Sequence, residues 1–315
     1  MKMILDLDTG IDDTLALACV LGTPQVDLIG VVCSYGNVEV DQAVKNTLKV
    51  LSLFGREDIP VIRGAGAPLD KEVFEVRPLS RIVHGKDGIG DTGLPDVERS
   101  AAGCTAEDFF HDMAAAYGSD LVIVTEGPLT NLASTIRKYP DLEKTGVRIV
   151  TMGGAVCVEG NMTPIAESNL FQDALADNIV FSGNLPVTLV PLDVTLRTLL
   201  SRDYTADWRE RKHPAGRFLA DMTDYYIAFH EEVHPELHGC ALHDPLAAMI
   251  PVFPQIVTTI PCALKVLTDG YNKDRCVMDL EAMAEGRRNV RLCLDVLEKP
   301  FVEKFNEAIL SLISE

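Results

Sequence analysis

Short aliphatic and β-branched runs recur along this chain, and between them the apolar residues fall three and four positions apart. That alternation narrows the fold more than any other feature. It is the pattern of strands joined by helical crossovers, and so of a mostly parallel sheet covered by helices. Residues 3–7 (MILDL) read as the first strand, and residues 12–21 as a helix opening on acidic residues, as its dipole prefers. A second strand at 26–33, a helix at 41–54 with Asp41 as its N-cap, and a short strand at 61–63 follow. Further on come a helix at 105–117, a strand at 121–125, a helix at 129–138 and a strand at 147–152. A helix at 174–181, a strand at 187–191 and a mainly helical stretch over 202–250 come next. Strands near 256–267, 276–280 and 290–294 and a last helix at 301–313 complete the pattern.

Two segments break the rhythm. Residues 64–104 are dominated by Gly, Pro, Asp and Arg and contain HGKDGIGD, which reads as a long loop; loops of that length in a compact domain are usually functional or disordered. A Gly-rich loop over 153–169 follows the fifth strand. With no repeat, low-complexity tract or linker in 315 residues, the expectation is an α/β single domain: a mostly parallel (mixed) central sheet flanked by helices.

The formal net charge of −19 disfavours nucleic acid and anionic membranes as partners, because phosphate binding needs clustered Lys and Arg. No apolar run is long enough to span a bilayer. The N-terminus reaches Asp6 and Asp8 too soon to be a signal sequence and reads as a buried strand. The eight cysteines show no CxxC pair and no metal spacing, which points to free thiols in a reducing, cytoplasmic setting.

The densest chemistry is DLDTGIDD, Asp6 to Asp13. Four carboxylates in eight residues are costly if they converge without a cation. Strand geometry sends Asp6 and Asp8 to one face, and a turn at Thr9 and Gly10 lets Asp12 and Asp13 fold back over the strand end. In open α/β sheets ligands bind at such carboxyl ends, and hard oxygen ligands there suit Ca²⁺ or Mg²⁺. Taken singly, Asp12 and Asp13 also fit as ordinary first-turn residues of a helix. A rival reading is a Mg²⁺-dependent phosphatase with Asp6 as nucleophile, although in Asp6-Leu7-Asp8-Thr9 the threonine falls one place early for that motif.

The stretch ILDLDTGIDDTLAL resembles the N-terminal signature DxDxGxDD of the inosine–uridine-type nucleoside hydrolases. Later segments agree with that family in order. They are YGNV with Asn37, VTEGPLTNLA with Thr125, MGGAVCVEGNMTPIAESNLF with Met152, Asn161, Glu167 and Asn169, ALHDPLAA with His243 and Asp244, and HGKDGIGD with His84. The resemblance runs from residue 3 to about 250 and implies a Rossmann-like nucleoside hydrolase fold. Independently of it, Asp8, Asn37, Thr125 and Met152 all sit just past apolar runs, at ends that a parallel sheet lines up along one edge.

The resemblance further implies Ca²⁺ held by Asp8, Asp13, Asp244 and the Thr125 carbonyl, with Asp8 as general base toward the attacking water. Asp12, Asn37, Met152, Asn161, Glu167 and Asn169 would contact the substrate, chiefly the ribose, and His84 would sit near the base. Glu167 and Asn169 fit equally as loop residues bonded to backbone, and Met152 as a core residue. His243 is the first candidate to protonate the leaving base; its position before Asp244-Pro245 also reads as a helix start, and His238 and His84 stay open as alternatives. Residues 224–243, with Tyr225, Tyr226, Phe229 and His230, should shape the base pocket, whose preferred base stays open. Trp208 matches no site position. The implied partner is a ribonucleoside and the implied assembly a homodimer or homotetramer. A non-catalytic nucleoside-binding protein on the same fold is the third reading.

Overall fold

The computed structural model describes residues 1–314. In chain order the elements are β1 (Lys2–Leu7), α1 (Ile11–Leu21), β2 (Asp27–Cys33), α2 (Val40–Leu53), β3 (Val61–Arg63), α3 (Pro78–Val83), α4 (Ala106–Tyr117), β4 (Leu121–Thr125), α5 (Thr130–Lys138) and β5 (Arg148–Met152). They continue with α6 (Ser168–Gln172), α7 (Ala174–Ser182), β6 (Val187–Val190), α8 (Leu192–Thr195), β7 (Leu199–Leu200), α9 (Arg202–Glu210), α10 (Pro214–Val233), β8 (Cys240–Ala241) and α11 (His243–Met249). The last are β9 (Val257–Cys262), β10 (Leu264–Val266), β11 (Cys276–Met278), α12 (Leu280–Ala284), β12 (Val290–Val296) and α13 (Glu298–Leu312).

One eight-stranded sheet runs β3-β2-β1-β4-β5-β6-β12-β9. Every neighbouring pair in it is parallel except β9 against β12. β1 is central, with Leu5 between Val31 and Val124, so an uninterrupted apolar run is what its position demands. Its residues divide between two cores by the strand period. Met3, Leu5 and Leu7 belong with Trp208, Phe301 and Phe305, and Ile4 belongs with Val32, Ile123 and Ile149 on the other face. α1 is buried all round and packs on α11 and α13, which explains why its sequence carries no charge after Asp13.

The strand order reverses direction at β1: β2 and β3 extend to one side, β4 to β6 to the other. A crevice at the carboxyl ends of β1 and β4 follows from that topology. β7 and β8 form a separate antiparallel clip, Leu199 against Ala241, closed by the Leu242 N–H on the Thr198 carbonyl at 2.9 Å. The clip delivers the start of α11 to the crevice.

Several expectations shift. Glu39, not Asp41, is the N-cap of α2; Asp41 sits in the first turn and pairs with Arg63. The strand expected over 256–267 breaks into β9 and β10, and β10 pairs with β11 outside the main sheet. The 64–104 segment is not one loop: Pro78 opens α3, and His84 caps its C-terminus. HGKDGIGD is laced by its own aspartates. Asp87 Oδ1 accepts from Ile89 N and Asp91 N, and Asp91 Oδ1 accepts from Lys86 N and Asp87 N. That lacing leaves Ile89 fully buried in the core.

Candidate active site

The turn between β1 and α1 builds the acid cluster. Asp13 reaches back to accept from the Gly10 N–H at 2.7 Å and the Asp8 N–H at 3.1 Å, so the helix cap and the site are one structure. Asp8 accepts from Asn37 twice, Oδ2 from the backbone N–H at 2.8 Å and Oδ1 from Nδ2 at 2.9 Å, and the same Nδ2 donates to Asp13 Oδ2 at 3.2 Å. Both amide protons of Asn37 are thus engaged by carboxylates. Its contribution in this geometry is the spacing of Asp8 and Asp13, with Oδ1 left for a ligand. Gly36 is required here: a Cβ on it would lie 1.8 Å from Asp8 Oδ2, and its φ is +154°.

Asp12, Asp13 and Asp244 are buried and bring carboxylate oxygens within 4.8 Å of one another. Asp8 adjoins this triad through Asn37. The structure therefore puts Asp12, expected only on the sugar, among the groups that could hold a cation. Burial pushes Asp8 and Asp244 well above the usual carboxylate range, and neighbouring aspartates push them further. Burial, then Asp12, raises Asp13 to about 7. An all-oxygen set under such mutual repulsion fits a hard divalent cation, which removes the cost.

Asp6 does not join. It lies within β1, 1 % exposed, with Oδ1 on Asn131 Nδ2 at 2.9 Å, and it lines no part of the cavity. The strand period turns it under the sheet toward α5, so the phosphatase reading, which needs Asp6 as an accessible nucleophile, fails on access. Thr125 ends β4, and the cavity-lining residue is the one after it. It is still in the ladder, opposite Asp6 and Thr151, and the following N–H, that of Glu126, donates to the Asp6 carbonyl at 2.8 Å. The first residue of β4's end to line the cavity is Glu126, whose carbonyl accepts from Asn169 Nδ2 at 2.9 Å.

Beside the cluster opens a cavity of about 350 Å³. Asp12, Asn37, His84, Met152, Asn161, Glu167, Asn169, His243 and Asp244 all line it. Glu167 is the N-cap of α6, accepting from Asn169 N, Gly154 N and Leu170 N at 2.7–3.1 Å, and burial raises its pKa. Asn169 is anchored on the Glu126 and Met152 carbonyls, and Met152 Sδ lies 3.4 Å from its amide. Asn161 is exposed at the rim and accepts from Ser168 N.

The opposite wall comes from α10, with Tyr226, Phe229, His230 and Val233 at helical spacing. Tyr225 turns to the edge, its hydroxyl on the Ile82 carbonyl at 3.1 Å. His84 is buried, not solvated: its Nδ1 accepts the Ile11 N–H at 3.1 Å, and burial lowers its pKa. A Cβ on Gly10 would lie 2.7 Å from that nitrogen, so glycine there lets the ring approach the α1 terminus. His243 is buried, with Nδ1 2.7 Å from Thr195 Oγ1, and burial pushes it down to about 4 against the opposing charge of Asp12. His238 is exposed, in a left-handed turn at φ +52°, and off the cavity. Trp208 is buried with its indole N–H on Asn306, away from the cavity.

The sequence reading missed Glu126, Thr195 and Leu196. Glu126 was hidden because its neighbour Thr125 has the motif's residue type. Yet both its carboxylate oxygens are buried and unpartnered, and burial and four aspartates raise its pKa.

A crevice at the switch point of a parallel sheet, with buried oxygen ligands on one side and an aromatic, imidazole-rich wall on the other, is the site of an α/β enzyme. The family model for inosine-uridine preferring nucleoside hydrolase matches residues 3–303. The pyrimidine-specific ribonucleoside hydrolase RihA of Enterobacter sp. (strain 638) is 32% identical over 310 residues, covering 98% of this chain and 97% of that protein. Among solved structures, a purine-preferring ribonucleoside hydrolase from Gardnerella vaginalis superposes with a TM-score of 0.97 at 41% identity, over 100% of this chain and 99% of that one. A plant nucleoside hydrolase (PpNRh1) does so at 0.92 and 29% identity, over 100% and 99%. The chain belongs to the inosine-uridine preferring nucleoside hydrolase family and is a hydrolase of N-glycosyl compounds.

Proposed function

We propose that this enzyme, the whole chain acting as one domain, hydrolyses the N-glycosidic bond of ribonucleosides to free base and ribose with Ca²⁺ as cofactor. The observation that carries this reading is the buried acid cluster opening directly onto a nucleoside-sized cavity. Asp8, Asp13, Asp244 and the Glu126 carbonyl would hold the ion, with Asp12 shared between ion and sugar. Bound there, a divalent cation supplies a lowered pKa and a fixed position for the attacking water.

The rest is the work of the chain. Asp8, steadied by Asn37, accepts the proton of that water. Asp12, Asn161, Glu167 and Asn169 hold the ribose hydroxyls over Met152, and their negative field favours the oxocarbenium-like charge that develops on the sugar. His243 meets the leaving base with Nε2, and His84 offers it a further hydrogen bond.

Two relatives bear on the base. The Gardnerella enzyme at 41% identity is purine-preferring, whereas RihA at 32% is pyrimidine-specific, so purine ribonucleosides are the better expectation. A homodimer or homotetramer in the cytoplasm completes the reading; among the described residues no helix is long and apolar enough to cross a membrane. The test is ribose release from a panel of purine and pyrimidine ribonucleosides with Ca²⁺ present. Turnover, greatest with purines and lost in Asp8→Asn, is expected. Binding of nucleosides without turnover would instead select the non-catalytic reading.

A further inference from the structure

Four imidazoles line the cavity; His234 is exposed with its Nδ1 near Glu236 Oε1, and the three buried ones are each pinned at Nδ1 by a different kind of partner. His84 Nδ1 accepts from a backbone N–H, that of Ile11, which can only donate. Its proton therefore belongs on Nε2, and gaining a second one would break the bond. His230 Nδ1 lies 3.0 Å from the Tyr226 carbonyl, which can only accept, so there Nδ1 carries the proton. His243 alone is pinned by a hydroxyl, Thr195 Oγ1 at 2.7 Å, which can do either.

Thr195 is fully buried, and among the described residues His243 Nδ1 is the one hydrogen-bond partner of its hydroxyl. It ends α8, four residues before the β7–β8 clip, and the clip brings α8 and the start of α11 together. We propose that Thr195 is the positioning residue for His243, its hydroxyl holding Nδ1 so that Nε2 and its proton point at the leaving base. The inference rests on the hydrolase reading and on His243 as the group that meets the base. With the hydroxyl donating to Nδ1, Nε2 carries the hydrogen and presents it to the leaving base as the C1′–N bond breaks. A backbone carbonyl at Nδ1, as at His230, would put the hydrogen on the other nitrogen.

The test compares Thr195→Val and Thr195→Ser with the wild type on inosine and on p-nitrophenyl β-riboside, whose phenolate leaves without protonation. Thr195→Val should lower kcat on inosine roughly 10- to 100-fold, the range for loss of an orienting partner, with KM little changed. It should spare the nitrophenyl riboside, and Thr195→Ser should restore inosine turnover. Equal loss on both substrates, or wild-type turnover of inosine by Thr195→Val, overturns the inference while leaving the hydrolase reading intact. A wild type inactive on both substrates overturns that reading, and the inference with it.

Discussion

Asp13 and Asp244, far apart in sequence, are both nearly fully buried and present carboxylate oxygens within 4.8 Å of each other. Like charges so placed repel strongly, and a ligand that binds only the folded state stabilises it by mass action. Ca²⁺ at a hundred times its Kd should therefore add about 2.7 kcal/mol to stability. In Asp13→Asn the calcium-dependent rise in Tm should largely vanish, and the metal-free variant should melt above the metal-free wild type. Calorimetry of both proteins with and without chelator checks this.

Burial and Asp12 raise the Asp13 carboxyl to about 7, so near neutral pH a fraction of it is protonated before a cation arrives. Cation binding needs the carboxylate, and it should release protons. Affinity should fall as pH falls through about 7 and level off above it. Titration calorimetry in two buffers of different ionisation enthalpy at pH 7 should give different apparent heats; identical heats would contradict the assignment.

On the proposed reading Asp12, Asn161, Glu167 and Asn169, which line the cavity, hold the sugar, and they are acceptors and donors that a ribose would satisfy and a deoxyribose would leave unpaired. Sites that hydrogen-bond a hydroxyl reject the analogue lacking it by about 10⁴-fold. The ratio of kcat/KM for inosine over 2′-deoxyinosine should approach that figure.

Asp177 is a buried carboxylate outside the site, on α7, with both oxygens unpartnered, and burial raises its pKa well above the usual range. The folded state thus binds its proton more tightly than the unfolded state, and stability falls as pH rises above about 4, where the unfolded chain loses that proton. Asp177→Asn removes the penalty. Its Tm should exceed that of the wild type at neutral pH, and the gap should close toward pH 4.

The strands and the acid turn were legible because both are local. Continuous apolar runs mark β1 and β4, and DLDTGIDD carries its own cap. What escaped depended on distance in space. Whether Thr125 or Glu126 ends the β4 ladder is decided by pairing with β1 and β5, which no single segment reveals. That the Asn37 amide nitrogen is taken by two aspartates from another loop is likewise a contact across space that its own segment does not show. Thr195 has no motif around it; its place beside His243 exists only because β7 clips to β8. That the turn after α10 leaves His238, an alternative to His243, exposed is equally invisible in its segment.

The account stands or falls on a divalent cation working at the acid cluster. Ribose release from inosine should stop when the enzyme is stripped with EGTA and return on adding Ca²⁺. Undiminished turnover by the stripped enzyme, with its calcium shown to be gone, would contradict it.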